Sequence, residues 1–173
     1  MTRWALLLRA INLGPTNKLA MADLRKLLTD LGHDDVTTLL NSGNALFSSS
    51  KRSAAAMAKD IEKGLQERHG LDVRATLRTR DELVAALEGL PRELLGARYV
   101  TLSFLFDKPT AAAVKEARAW DVSPERIVIG DGVVYIAYAE GVHNSKLTTA
   151  ALEKKLGVAT TARTPETVRK LLA

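Results

Sequence analysis

Two groups of cationic, amide and hydroxyl side chains stand out as candidates for ligand binding. Guanidinium, ammonium and amide groups together can bind a carboxylate or a phosphate. The first group lies in predicted loops near the start of the chain and consists of Arg9, Asn12, Lys18, Ser42 and Asn44. The second group lies near the end of the chain and consists of Ser145, Lys146 and Arg163. We expect these residues to bind an anionic ligand, and we assign no catalytic residue, no metal ligand and no cofactor.

The segment Gly14–Lys18 follows a predicted strand and precedes a predicted helix, as a phosphate-binding loop does. A P-loop has the pattern G-x-x-x-x-G-K-[ST], so that successive backbone N–H groups surround the phosphate. Here Pro15 lacks an N–H, and Leu19 stands where the metal-binding hydroxyl would be. This excludes a Walker-type ATPase, but it leaves open an anion contact made by Lys18 and the helix N-terminus.

The Ser145-Lys146 pair could also be interpreted as a nucleophile and its base. Such a pair needs the lysine within reach of the hydroxyl, whereas adjacent residues at a helix start point apart. We therefore predict that Asn144 or Ser145 caps a helix. The motifs H-E-x-x-H, G-x-S-x-G and G-x-G-x-x-G are absent from the sequence, so no familiar catalytic motif stands out.

Composition and charge exclude several further classes of protein. The chain has 173 residues and no Cys, which excludes disulfide scaffolds, thiol catalysis and cysteine-ligated metals. The three His are scattered along the chain, which argues against a histidine-rich metal centre, and His33 and His69 are predicted at solvated helix ends. No apolar run approaches the ~20 residues of a membrane span, and no secretory signal is recognisable, so we expect a cytoplasmic protein.

Positive charge is concentrated in residues 141–173. The chain has 25 Lys+Arg and 20 Asp+Glu, a net charge of +5. Residues 141–173 contain six basic and two acidic side chains. Such a segment attracts nucleotides, nucleic acid or acidic partners, although a basic surface that only keeps the protein soluble is an equally good explanation.

Hydrophobic periodicity predicts the same order of elements twice. The first half is predicted to contain strands and helices at residues 4–9, 21–31, 36–41, 45–48, 53–70 and 71–77. A helix over 81–90 follows, and the second half has elements at 99–106, 109–120, 127–129, 133–138, 144–156 and 158–161. A last helix begins at Pro165, with Thr164 as its cap. We predict an α+β fold of two ferredoxin-like β-α-β-β-α-β halves, with a connecting helix and a C-terminal helix.

The predicted division of the chain is 1–78 for the first half, 79–98 for the connecting helix and linker, and 99–173 for the second half with its terminal helix. These parts are expected to form one compact unit. The halves repeat the order of elements rather than the residues. Apolar residues at core-facing positions should be buried, and they are Leu24, Leu28, Phe47, Ile61, Leu102, Phe104, Ile136 and Leu152.

This topology brings each group of polar residues together. The first two strands of a β-α-β-β-α-β unit run parallel, so the loop after strand one and the hairpin after strand two lie at the same end. Arg9 and Asn12 should therefore lie near Ser42 and Asn44. At the opposite end of the second half, the loop before its second helix should lie near Arg163. We further expect the two groups to border one depression.

Several motifs along the chain are typical of one bacterial family. They are LLRAINLG at residues 7–14, NSGNALFS at 41–48, GVHNSKL at 141–147 and ATTAR at 159–163. In this combination, which extends over essentially the whole chain, the sequence resembles the domain of unknown function 1697 family. The resemblance implies a compact α+β protein of cytoplasmic type, from a family without an established activity.

Three functions remain open from the sequence. The leading hypothesis is a cytoplasmic protein that binds an anionic ligand, either nucleotide-like or nucleic acid. The second is an enzyme acting on a phosphorylated or carboxylated small molecule, which would use the same residues for positioning and electrostatics. The third is a protein-interaction module whose basic C-terminal surface binds an acidic partner.

Overall fold

The chain forms two compact units. The structure is a computed structural model that describes residues 1–173. The first unit comprises Met1–Val84 together with Lys170–Ala173, and the second comprises Ala85–Arg169. The boundary therefore falls inside a helix, after Val84, whereas the sequence had suggested a separate linker over 79–98. The last four residues group with the first unit, where Leu171 and Leu172 line a small cavity beside Ala5.

The first unit contains one antiparallel sheet of four strands, in the order β2-β3-β1-β4. Its elements in chain order are β1 (Thr2–Leu8), α1 (Met21–Asp30), β2 (Asp34–Leu39), β3 (Asn44–Ser49), α2 (Ala54–His69), β4 (Ala75–Thr79) and α3 (Arg80–Glu88). The last residues of α3 belong to the second unit.

The second unit repeats this arrangement with the strand order β6-β7-β5-β8, again antiparallel throughout. Its elements are β5 (Tyr99–Leu105), α4 (Ala111–Arg118), β6 (Arg126–Ile129), β7 (Val133–Tyr138), α5 (Thr149–Leu156), β8 (Thr160–Arg163) and α6 (Pro165–Leu172). Short 3-10 helices occupy Arg92–Leu94 and Val142–Asn144. The predicted α+β fold with two β-α-β-β-α-β halves is confirmed.

Side-chain caps and glycines set most helix ends where the sequence predicted them. The Ser53 hydroxyl accepts the Ala56 N–H at the start of α2, and Gly70 ends that helix with φ +64°. The predicted start of α5 is wrong, because Thr148 caps it rather than Asn144 or Ser145. Residues Val142–Asn144 form a 3-10 turn instead, and the Ser145 hydroxyl bonds to the Glu125 carboxylate rather than to a helix N–H.

All eight residues predicted to lie in the core are buried. The helices of the first unit pack Leu24, Leu28 and Ile61 with Phe47 of the sheet. In the second unit, Leu152 of α5 packs with Ile136 of β7. Each such side chain contributes about 1.5–3 kcal/mol by leaving water. None of the helices combines the length and the apolar character that a membrane crossing requires.

His33 lies in the core rather than at a solvated helix end, so its predicted position is wrong. It is only 2% exposed, and its ring stacks on Phe47 with 4.2 Å between the ring centroids. Its Nδ1 atom lies 3.1 Å from the Ser49 hydroxyl. Burial lowers the pKa of His33 below its ordinary value, because the charged imidazolium would lose its hydration.

Each β-α-β-β-α-β half has one long loop between its own elements, and the two long loops occupy different places in the repeated topology. In the first unit the loop between β1 and α1 spans residues 9–20, whereas its counterpart between β5 and α4 spans only 106–110. In the second unit the loop between β7 and α5 spans 139–148, whereas its counterpart between β3 and α2 spans only 50–53. These two long loops contain most of the residues predicted to bind a ligand.

Candidate functional site

The loop after β1 and the turn after β2 are joined by the side chain of Asn12. Its Nδ2 atom donates to the Asn41 carbonyl at 2.7 Å and to the Leu19 carbonyl at 2.9 Å. Its Oδ1 atom accepts the Leu19 N–H at 2.9 Å. One amide therefore ties residues 9–20 to residues 40–43, and we call these two segments together the Asn12 cluster.

Hydrogen bonds between side-chain and backbone groups of Asn44, Ser42 and Leu39 hold the turn of the Asn12 cluster. Asn44 is fully buried, and its Nδ2 atom donates to the Leu39 carbonyl at 3.0 Å and to the Ser42 hydroxyl at 2.9 Å. The Gly43 carbonyl accepts the Leu8 N–H at 2.9 Å, which fastens the turn to the end of β1. The structure thus brings together the loop and the turn that the topology placed at one end, with both asparagines in supporting roles.

The backbone of the Asn12 cluster is strained. Ala10, Asn12, Asn17 and Leu40 all have positive φ angles, between 52° and 59°. The chain has one other non-glycine residue of this kind, Asp35, which also belongs to the first unit. This conformation costs roughly 1–2 kcal/mol for a residue such as alanine or leucine. Such strain concentrates at binding and catalytic sites, where the surrounding structure enforces it.

The Asn12 cluster presents both cations and apolar side chains to solvent. Leu13 is 78% exposed and Leu40 is 50% exposed. Lys18 is exposed and Arg9 is half-buried. No side chain caps the N-terminus of α1, which begins directly after this loop. The cluster therefore offers an ammonium, a guanidinium and a helix N-terminus beside two apolar side chains.

The second predicted group does not form a basic site. The Ser145 hydroxyl donates to Glu125 Oε2 at 2.7 Å and accepts the Leu147 N–H at 3.0 Å. The buried Glu125 carboxylate also accepts the Ala139 N–H at 3.0 Å through Oε1. The Glu125 carboxylate thus holds both Ala139 and Ser145 of the loop at 139–148, and the Ser145 hydroxyl is used in this contact.

A cavity of about 360 Å³ adjoins this loop, and most of the charged side chains in its walls are acidic. Lys146 lines it together with the carboxylates of Asp121, Glu125 and Glu140. Three carboxylates against one ammonium disfavour an anion at this place. The sequence did not identify Glu125, because it lies 20 residues from Ser145 and no local pattern links the two.

Arg163 lies away from Ser145 and Lys146 and does not join them in one site. It belongs to β8 at one edge of the sheet, whereas Glu125 precedes β6 at the other edge. Three strand spacings, about 14 Å, separate those edges. The Arg163 side chain is buried and donates to the Thr161 hydroxyl and the Ala162 carbonyl, each at 2.8 Å. Burial lowers the pKa of Arg163 to about 10.

Comparison with known proteins places the chain in a family. The sequence profile described as "Protein of unknown function (DUF1697)" matches residues 1–135. The chain belongs to this family. The resemblance inferred from the motifs at residues 7–14 and 41–48 is thereby confirmed, and the matched stretch includes the whole Asn12 cluster.

A solved structure shows the same fold over nearly the entire length of this DUF1697 chain. It is that of the conserved bacterial protein SP0830 from Streptococcus pneumoniae. The two sequences are 25% identical, and the TM-score is 0.76 over 98% of this chain and 96% of that one. None of the curated proteins compared with the chain matches it.

A short residue repeat occurs in both units of this DUF1697 protein, in addition to the repeated order of elements. The segment Thr76–Thr79 reads T-L-R-T and the segment Thr161–Thr164 reads T-A-R-T. Arg78 donates to the Thr76 hydroxyl at 2.6 Å and the Leu77 carbonyl at 2.9 Å, as Arg163 does with its own neighbours.

The threonine that ends each repeat caps the next helix. Thr79 accepts the Glu82 N–H at 3.2 Å at the start of α3, and Thr164 accepts the Thr167 N–H at 3.2 Å at the start of α6. Burial lowers the pKa of Arg78 as it lowers that of Arg163. This shared geometry gives Arg163 a local structural role. Aligning the strands that close each half would have shown the repeat in the sequence.

Proposed function

We propose that this DUF1697 protein binds an anionic, nucleotide-like small molecule at the Asn12 cluster. The observation that carries the proposal is the unusual backbone, since four left-handed non-glycine residues occur in these two segments and the conformation is strained for two of them, Ala10 and Leu40. The surrounding hydrogen bonds of Asn12 and Asn44 hold that backbone in place before any ligand arrives. Preorganisation of this kind lowers the entropic cost of binding.

The side chains of the Asn12 cluster suit a ligand with a charged and an apolar part. Lys18, with the first N–H groups of α1, supplies contacts for a phosphate or carboxylate, and Arg9 supplies a guanidinium. The exposed Leu13 and Leu40 side chains offer apolar surface to a base or another ring. The proposal includes a cytoplasmic location, as expected from the sequence.

The residues of the cluster favour binding over catalysis. Residues 9–20 and 40–43 include no Asp, Glu, His or Tyr. The two segments therefore bring no group of ordinary pKa that could act as a general acid or base near neutral pH. Their cations and amides position and neutralise an anion, which is the chemistry of a binding site.

Titration followed by nuclear magnetic resonance tests the proposal. Adenosine monophosphate should shift the backbone amide signals of residues 13–19, and adenosine, which lacks the phosphate, should shift them much less. Lys18→Ala should weaken the binding of adenosine monophosphate about 10-fold, the loss of one charged contact. Lys26→Ala removes an exposed ammonium from α1 outside the cluster and should leave the affinity unchanged.

Two further measurements separate the alternatives. Arg9→Ala should abolish binding with little change in Tm, and a large fall in Tm would instead identify a structural arginine. A single-stranded oligonucleotide that binds with a steep salt dependence would point to nucleic acid rather than a small molecule. Unchanged signals for residues 13–19 with both adenosine monophosphate and inorganic phosphate would refute the proposal.

A further inference from the structure

Part of one edge of β5 has no strand partner. β8 pairs with β5 only over Leu102–Leu105, although β5 begins at Tyr99. On the other side, β7 pairs with β5 along its length up to Phe104. The segment Tyr99–Thr101 therefore presents one bare edge of the sheet.

The free backbone groups at this edge are those of Val100. The N–H of Phe106 donates to the Ala159 carbonyl on the β8 side. The backbone N–H and C=O groups of successive residues point alternately to the two sides of a strand. The N–H and C=O of Val100 therefore point to the β8 side, as those of Phe106 do. If the register continued, Val100 would face Pro165. Pro165 has no N–H and already begins α6, so the ladder stops there.

A groove of about 430 Å³ runs along this bare edge, and apolar side chains form its rim. Leu95 is 62% exposed and Val142 is 47% exposed, and both line the groove, as does the buried Leu94. With Leu13 and Leu40 of the Asn12 cluster, Leu95 and Val142 are the exposed large apolar residues beyond Met1. Exposed apolar surface at a sheet edge is typical of an interaction site.

The charged side chains around this groove favour an anionic partner. The exposed Arg98 and Arg169 line the groove, and neither forms an ion pair with a carboxylate. Glu166 is the one carboxylate in its wall.

We infer that this groove binds an extended, acidic peptide segment of another protein, which adds a strand to the bare edge of β5. The peptide backbone would bond to the N–H and C=O of Val100, as in other cases of strand addition. Alternate side chains would meet the apolar rim, and carboxylates would meet Arg98 and Arg169. A second copy of this chain fits less well, because pairing two β5 edges would bring four guanidinium groups together. The inference is independent of the function proposed for the Asn12 cluster.

Fluorescence polarisation with a labelled peptide tests this inference on the full chain. The probe is an acetylated octapeptide that alternates valine and glutamate, and we expect it to bind. The same peptide with lysine in place of glutamate should bind at least about 10-fold more weakly, the effect of losing the charge-assisted contacts. N-methylation of alternate residues should abolish binding in one register and be tolerated in the other, because only one set of N–H groups faces the edge.

Variants of the protein supply the matched controls. Arg98→Ala and Arg169→Ala should each weaken probe binding about 5-fold, whereas Arg118→Ala on α4 should leave it unchanged. Val100→Pro removes the edge N–H without touching the ladder to β7, and should abolish binding while Tm shows that the variant folds. Equal binding of both N-methylated peptides, equal binding of the lysine peptide, no binding up to about 1 mM, or dimerisation blocked by Val100→Pro would each overturn the inference.

Discussion

The two units share one strand order but differ in which loop is long. The first unit extends the loop after its first strand, and the second extends the loop after its third strand. The helices and strands are fixed by a common apolar pattern, whereas loops can change without loss of the core. The comparison teaches that the repeated fold is a scaffold, and that each unit has elaborated a different place on it.

The long loops are also held in different ways. Asn12 ties the first with a neutral amide, and Glu125 ties the second with a carboxylate. Strained backbone accompanies only the first loop, since every non-glycine residue with positive φ belongs to the first unit. The first loop thus combines an amide tie with left-handed backbone, whereas the second lies beside a cavity lined by three carboxylates.

The largest expected loss of stability distinguishes the hairpin turn of the first unit from that of the second. Gly43 has φ +83°, and a Cβ atom there would lie 2.8 Å from Leu8 Cβ and 3.4 Å from Ile11 Cβ. Gly132, in the corresponding turn of the second unit, has φ +71° but open space around it. Gly43→Ala should reduce the free energy of unfolding by about 2–4 kcal/mol, the sum of strain and overpacking.

Gly132→Ala should reduce the free energy of unfolding only by the strain of positive φ, about 1 kcal/mol. Denaturant unfolding measures both variants. Equal losses would show that the close packing of the turn against the end of β1 does not distinguish the units.

The next effect concerns the amide that ties the first long loop. Asn12→Ala removes three hydrogen bonds and places alanine at φ +56°, so it should reduce the free energy of unfolding by about 2–3 kcal/mol. Amide hydrogen exchange at Leu19 should also accelerate. Asn144→Ala, in the second long loop, removes one exposed bond of 3.3 Å to the Glu140 carbonyl and should cost less than about 0.5 kcal/mol.

Glu125→Gln tests the carboxylate tie of the second long loop at nearly constant shape. The variant loses charge-assisted bonds to the Ala139 N–H and the Ser145 hydroxyl, and should lose about 1–2 kcal/mol of stability. Hydrogen exchange at Ala139 should accelerate while exchange at Leu19 stays unchanged. A change at both amides would mean that the two loops are not held independently.

The smallest effect is a pH dependence contributed by the first unit. Burial lowers the pKa of His33, so between that pKa and its ordinary value of about 6.5 the unfolded chain binds more protons than the folded one. Stability should therefore be complete above about pH 6.5 and fall as the pH drops below it. His33→Leu should flatten this fall, whereas His143→Gln, at an exposed residue of the second unit, should not. Unfolding at pH 5 and pH 7.5 measures the difference.

The sequence predicted the fold well because local signals and global topology agree. Ser53 and Gly70 bound α2, Thr164 and Pro165 begin α6, and all eight predicted core residues are buried. β4 begins at Ala75 rather than at Leu71. Leu71 and Val73 are buried in the core, but β1 has no residues left to pair with them, so apolar character alone predicted too long a strand.

Local signals by themselves determined most of the strands, caps and turns, and topology placed the loop of Asn12 beside the turn of Asn44. Only the tertiary structure decided the roles of these residues, because a hydrogen-bond partner depends on atoms distant in sequence. It buried His33 against Phe47, paired the Ser145 hydroxyl with the Glu125 carboxylate, and placed Arg163 and Glu125 at opposite edges of one sheet. It also left Val100 without a strand partner on the β8 side, since that outcome depends on where a different strand ends.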